Sequence, residues 1–147
     1  RHDIAFSGDF IVGFPGESDA DFEDTLSLVC EVGHAQAYSF KYSPRPGTPA
    51  ADMAGAVPPE VMDERLQRLQ AALGRDQQAF NQASVGRTCD VLIERKAKLP
   101  GQMLGKSPWL QSVHLIGDHQ IGDLIEVELV AAGPNSLTGQ AKVREAA

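Results

Sequence analysis

Gly8-Asp9-Phe10-Ile11-Val12-Gly13-Phe14-Pro15-Gly16-Glu17 is the stretch whose reading decides the fold. Phe10–Phe14 is a short continuous apolar run, the pattern of a strand buried on both faces of a parallel sheet. Pro15-Gly16 ends it. Ser18 then offers a hydroxyl N-cap, with Asp21 at the third helical position and Asp19 in the first turn. Phe22, Leu26, Val29 and Gly33 recur at spacings of 4, 3 and 4, which is one helix face, and Gly33 suits the left-handed residue past a helix end. Cys30 is expected to pack in the core beside that face. Ala37–Tyr42, with aromatics at alternate positions, reads as the next strand. The segment is a βαβ unit with a right-handed crossover.

Downstream, Ser43–Pro59 is a long loop containing Pro44-Arg45-Pro46-Gly47-Thr48-Pro49, and a stiff loop of that length points to function. Pro58-Pro59 opens a long helix with the apolar stripe Met62, Leu66, Leu69, Leu73 and Phe80. From Val85 short runs alternate with Gly-containing turns. The expected strands are Arg87–Arg95, Leu104–Ser107, Gln111–Ile116, Leu124–Val130 and Leu137–Arg144. Five such strands suggest a small closed barrel. The predicted fold class is an α/β partial barrel fragment (βαβα) over residues 1–84, followed by an all-β five-stranded barrel over 85–147.

Composition is that of a globular chain, 42 % hydrophobic and 22 % charged in 147 residues. No apolar run reaches the roughly 18–20 residues of a membrane span. With no signal-type N-terminus, a cytoplasmic location is expected. The chain begins at Arg1, which points to processing or truncation. The net charge of −7 is carried by residues 1–84, whereas 85–147 is balanced. Within the latter, Arg87, Arg95, Lys96, Lys98 and Lys106 face only Asp90 and Glu94. That stretch either attracts phosphate or protects a barrel edge in solvent.

Catalytic candidates are thin. Cys30 and Cys89 lie far apart, with no Cys-x-x-Cys spacing, so no metal or cluster site is expected in this segment. His114 alternates within an apolar strand and reads as structural, and Asp9 reads the same way. Gly8 and Gly13 flank the strand end, where a missing side chain lets a flat ligand lie on the backbone. Read alone, they are better accounted for by a tight β-to-α turn.

Asp9–Glu17, Asp21–Leu26 and Phe40–Ala51 together resemble the radical S-adenosylmethionine methylthiotransferases. Val57-Pro58 and Arg65–Gln70 extend the resemblance. Gly105–Val113 and Asn135–Gly139 resemble a TRAM domain, an RNA-binding OB-like barrel. The Tyr42-Ser43-Pro44-Arg45-Pro46-Gly47-Thr48 form is similar to the tRNA-modifying, MiaB-type branch. The resemblance implies a larger cytoplasmic enzyme with S-adenosylmethionine and two iron–sulfur clusters, none of them bound by this fragment alone. It implies addition of a 2-methylthio group to N6-dimethylallyladenosine beside the tRNA anticodon.

By the same resemblance, Ile11, Val12 and Gly13 lie near the cofactor's adenine, with Tyr42 and Ser43 on the same rim. Arg45 is either a phosphate or carboxylate contact or a plain surface arginine. Arg87, Lys96, Lys98, Lys106 and Trp109 are the remaining candidates for RNA contact, Trp109 being equally readable as a core aromatic. Families of this type commonly carry Gly-Arg where this chain has Gly105-Lys106, and Lys lacks the bidentate fork. The implied partners are tRNA and the upstream domains of the same protein, with no membrane. An open sheet edge leaves room for self-association. The alternative readings are a non-catalytic RNA-binding module and a methylthiotransferase with another RNA or a ribosomal-protein substrate.

Overall fold

The computed structural model describes residues 3–142. Its elements run β1 (Ser7–Val12), α1 (Asp19–Val32), β2 (Gln36–Lys41), a short 3-10 turn (Pro49–Asp52) and α2 (Pro59–Ser84). Five strands come next: β3 (Thr88–Lys96), β4 (Gln102–Lys106), β5 (Ser112–Ile116), β6 (Leu124–Ala132) and β7 (Leu137–Ala141). Residues 143 and 144 of the last expected strand lie outside the described residues. The chain forms two compact units. One is Phe6–Asp76, and the other holds residues 77–142 with the described residues before Phe6. The division falls within α2.

In the first unit β1 and β2 pair in parallel, with Ile11 opposite Phe40 and Asp9 opposite Tyr38. Successive side chains alternate between the sheet faces. Phe10 and Val12 pack against Phe22 and Val29 of α1 and Leu69, Ala72 and Leu73 of α2. The opposite face is open: Ile11 is 57 % exposed, Tyr38 56 % and Phe40 55 %. The expectation of a strand buried on both faces is therefore corrected, because both helices cover the same face. Cys30 is also corrected. It is exposed, being about 100° around the helix from buried Val29 and off the Phe22–Leu26–Val29 stripe.

Helix α1 starts and stops where its sequence signals lie. Ser18 accepts from the Asp21 amide, and the Asp21 carboxylate accepts from the Ser18 backbone N–H at 2.9 Å and from its hydroxyl at 2.7 Å. Gly33 closes the helix in the left-handed conformation, φ 65°. The aromatic-to-apolar contacts of Phe22 and the carbon frame of α2 then fix this helix against the sheet.

In the second unit the strands close in the order β3-β4-β5-β7-β6. All neighbours are antiparallel except β5 and β7. The interior holds Cys89, Val91, Ile93, Met103, Val113, Leu115, Val127, Leu129 and Leu137. These are the alternate residues of each strand, so the period of two decides what is inside. Each fully buried Val, Leu or Ile contributes about 1.5–3 kcal/mol. Gly105 faces inward opposite Ile93, where a Cβ would meet the Leu92 carbonyl and Val91, so only glycine lets β4 approach β3 this closely. Burial raises the Cys89 thiol above its usual range, which leaves it an inert core residue.

The capping box carries the first prediction. Hydrogen bonds from Ser18 hold the Asp21 carboxyl below its ordinary pKa. A carboxyl depressed in the folded state stabilises above its unfolded pKa and loses that contribution as pH falls through the folded value. Ser18→Ala is expected to cost about 1 kcal/mol in urea unfolding at neutral pH. The gap to the parent chain should narrow below about pH 4, and a gap independent of pH would remove Asp21 from the account.

Candidate functional site

Parallel strands present their carboxyl ends as the usual place for a ligand. The carboxyl ends of β1 and β2 open into a groove of about 640 Å³ lined by Ile11, Phe14, Phe40, Lys41, Tyr42, Ser43, Arg45, Thr48 and Ala50. The Tyr42 amide extends the parallel pairing by donating to the Val12 carbonyl, 2.8 Å. Its ring meets Phe14 edge-on, with centroids 5.2 Å apart at 71°. The Tyr42 hydroxyl oxygen is buried and has no hydrogen-bond partner among the described residues. An apolar wall with a few unspent polar groups is the composition of a small-molecule site, and the volume is in the usual range. Lys41 is committed to Asp63, 2.6 Å, leaving Arg45 as the uncommitted cation at the groove.

Of the residues singled out from the sequence, the groove brings together Ile11, Tyr42, Ser43 and Arg45. Val12 points the other way, into the helix-covered core. Gly13 is buried with φ 76°, and a Cβ there would run into the Met62 side chain. Sequence reading missed Phe14, Phe40, Lys41, Thr48 and Ala50. Alternation places Phe40 on the same face as Ile11, so the β1–β2 register was the missing signal.

The turn between β1 and α1 is clamped from α2. Glu17 accepts from the Gly13 amide with one carboxylate oxygen, 3.0 Å, and from Arg65 Nη1 with the other, 2.6 Å. Arg65 Nη1 also donates to the Glu17 carbonyl, and Nη2 donates to Asp19, 2.6 Å. Arg65 is 4 % exposed, and its guanidinium lies 5.5 Å from the Phe22 ring centroid. The paired carboxylates raise its pKa against the lowering effect of burial, which is the larger single influence on it. This pair sets the backbone from Gly13 to Glu17, and with it Phe14 at the groove.

On the barrel the basic residues do not share one place. Lys96 lies opposite Met103, and Lys106 opposite Leu92, so they flank opposite ends of β4. Lys98 is exposed in the turn between β3 and β4. Lys106 Nζ donates to the Leu110 carbonyl, 3.2 Å, and Ser112 Oγ, 3.0 Å, which gives it a local task in closing the Ser107–Gln111 turn. Arg87 stacks on Trp109, 3.8 Å from the ring centroid. Trp109 packs against the barrel core and donates from Nε1 to the Asp3 carbonyl, 2.7 Å. The β3–β6 wall is acidic: Asp90 is directly opposite Glu126, and Glu128 opposite Thr88.

Cys30 and Cys89 are free thiols, and among the described residues no three His, Cys, Asp or Glu side chains gather as a metal-binding group. No described helix is long and apolar enough to cross a membrane.

The clamp yields the second prediction. Removing one member of a buried ion pair leaves an uncompensated charge, so Arg65→Gln should cost roughly 3 kcal/mol in urea unfolding. Arg68→Gln, whose pairs with Glu23 and Glu64 are largely exposed, should cost no more than about 1 kcal/mol. Equal costs would show that burial of the Arg65 pair is immaterial.

No family model matches the chain. Curated relatives do. The chain is 75 % identical over 140 residues to the tRNA-2-methylthio-N(6)-dimethylallyladenosine synthase of Erythrobacter litoralis, covering 95 % of this chain and 31 % of that protein. It is 72 % identical over 140 residues to the synthase of the same name from Novosphingobium aromaticivorans, covering 95 % and 32 %. The Zymomonas mobilis synthase matches at 63 % over 140 residues, again 95 % and 32 %. The chain thus spans about a third of the length of the curated relatives it matches. Over that shared length, the chain is similar to the corresponding part of these tRNA-2-methylthio-N(6)-dimethylallyladenosine synthases.

Proposed function

We propose that this chain is the C-terminal portion of a tRNA methylthiotransferase, one that adds a 2-methylthio group to N6-dimethylallyladenosine beside the anticodon. Residues 1–84 are assigned to the end of its radical S-adenosylmethionine βα barrel, and residues 85–147 to a TRAM barrel that binds tRNA. The observation that carries the cofactor half of this reading is the groove at the carboxyl ends of β1 and β2.

The groove suits S-adenosylmethionine. Ile11, Phe14 and Phe40 supply apolar surface for an adenine, and the Tyr42 hydroxyl is an unspent hydrogen-bonding group. Ser43 and Arg45 offer donors, and the planar fork of Arg45 matches a carboxylate. When bound in the whole enzyme, the cofactor supplies the methyl group and the radical that activates the adenine carbon. This chain's residues bind and orient it. Val12 supports the groove from the core side, and Gly13 keeps the turn tight. The chain by itself is expected to lack methylthiotransferase activity, since Cys30 and Cys89 do not have the spacing of cluster ligands.

The barrel half rests on the five-stranded closed topology and on the uncommitted cations Lys96 and Lys98. Phosphate contacts by such side chains give an affinity that weakens with salt. The implied partners are tRNA and the rest of the protein, in the cytoplasm.

Two experiments test these halves separately. Ile11 is more than half exposed, so Ile11→Ser should leave stability within about 0.5 kcal/mol. In the full-length enzyme it should raise the KM for S-adenosylmethionine about tenfold, from the lost apolar contact. An unchanged KM would take the cofactor out of this groove. For the barrel, the whole chain should bind unmodified tRNA in a salt-dependent way, and residues 1–84 alone should not. Equal binding by residues 1–84 would move the RNA site out of the barrel.

A further inference from the structure

We infer that Arg87 is a bidentate phosphate-binding residue for RNA, and that Trp109 is the positioning residue that orients it rather than a base-stacking platform. This rests on the RNA-binding reading of the barrel. The arginines of the chain divide by what their donors do. Arg65 and Arg68 commit their guanidinium N–H groups to carboxylates of Glu17, Asp19, Glu23 and Glu64. Arg87 has no ion pair or side-chain hydrogen bond among the described residues, and its one partner is the face of Trp109 at 3.8 Å.

With its central carbon 3.8 Å over the ring centroid, the guanidinium spends none of its N–H groups on the indole. Two adjacent ones then match two oxygens of a phosphodiester. Stacking also removes most of the torsional freedom that a free surface arginine would lose on binding. The indole is itself held: its Nε1 donates to the Asp3 carbonyl and it packs against the barrel core, while the Trp109 backbone amide donates to Ser107 Oγ, 3.3 Å.

The turn carrying the indole is rigid. Ser107 Oγ donates to Gln111 Oε1 and accepts from the Gln111 amide. Gln111 Nε2 donates to Asn81 Oδ1, 2.8 Å, and to Ser84 Oγ, 3.1 Å, on the end of α2 within the same unit. Leu110 adopts φ 61°, a conformation that non-glycine residues rarely take, and Lys106 holds its carbonyl there. So much commitment around one turn fixes the plane of the indole. Arg87 already lies over one face of the ring and Trp109 packs against the barrel core, so Trp109 orients the contact without making it.

The test is fluorescence-anisotropy titration of the full-length protein with an unmodified tRNA transcript across a salt series. Arg87→Ala should weaken binding about tenfold, in line with loss of charge-assisted bonds. It should also lower the slope of log affinity against log salt by about 0.7–0.9, one phosphate contact. Arg87→Lys keeps the charge and loses the fork: the slope should stay and the affinity should still fall several-fold. Trp109→Phe, which keeps an aromatic face but loses the Asp3 bond, should weaken binding less than Arg87→Ala at unchanged slope. Wild-type affinity in Arg87→Lys would overturn the bidentate contact, and wild-type behaviour in Arg87→Ala would overturn any contact. A larger loss in Trp109→Phe than in Arg87→Ala would make the indole the stacking group instead. Absence of salt-dependent tRNA binding in the parent protein would overturn the RNA reading and this inference together. The arginine variants decide the matter even if the Trp109 variant fails to fold.

Discussion

The buried Arg65 guanidinium is the constraint on which the first unit depends. A two-stranded parallel sheet has too little backbone pairing to hold its own connections in place. The turn after β1 is therefore held from α2, through Glu17 and Asp19, with the Gly13 amide satisfied by the same Glu17 carboxylate. Asp19 is almost fully exposed and adds direction more than energy. The Glu17 arm, both partners largely out of solvent, carries the effect. Arg65 also lies over Phe22, so the charge that pins the turn packs against the first helix as well.

The groove beside this turn has a wall set by backbone position more than by particular side chains. Phe14 meets Tyr42 because the turn is tight, and the turn is tight because Gly13 takes a left-handed conformation beside Met62. The open sheet face that continues from it, Ile11, Phe40 and Tyr38, is large and apolar for a face in solvent. In the proposed enzyme, that surface meets the cofactor and the remainder of the protein.

The barrel divides its charges by position. Cations occupy the end of β3 (Arg95, Lys96), the β3–β4 turn (Lys98) and the end of β4 (Lys106), whereas the paired stretches of β3 and β6 present Asp90, Glu126 and Glu128. Like charges opposite each other across Asp90 and Glu126 cost stability. Such a wall repels a polyanion, so the distribution restricts which side of the barrel a nucleic acid can approach. Even within the basic set the roles differ: Lys106 is drawn into closing a turn, and Arg87 keeps its donors unspent.

Local signals in the sequence determined much of this protein. The ends of α1 follow from Ser18, Asp21 and Gly33, because caps act within a few residues. The barrel interior follows from alternation, since a strand's period is independent of its partners. The α2 stripe was legible too. Only tertiary structure decided that Ile11 and Phe40 share an open face, that Cys30 faces solvent and that Val12 turns inward. Burial depends on how many layers cover a sheet, and one strand's sequence does not record that. Nor does it show that Arg65 is buried or that Arg87 lies on Trp109, for those pairs are 48 and 22 residues apart in the chain and meet only when it folds.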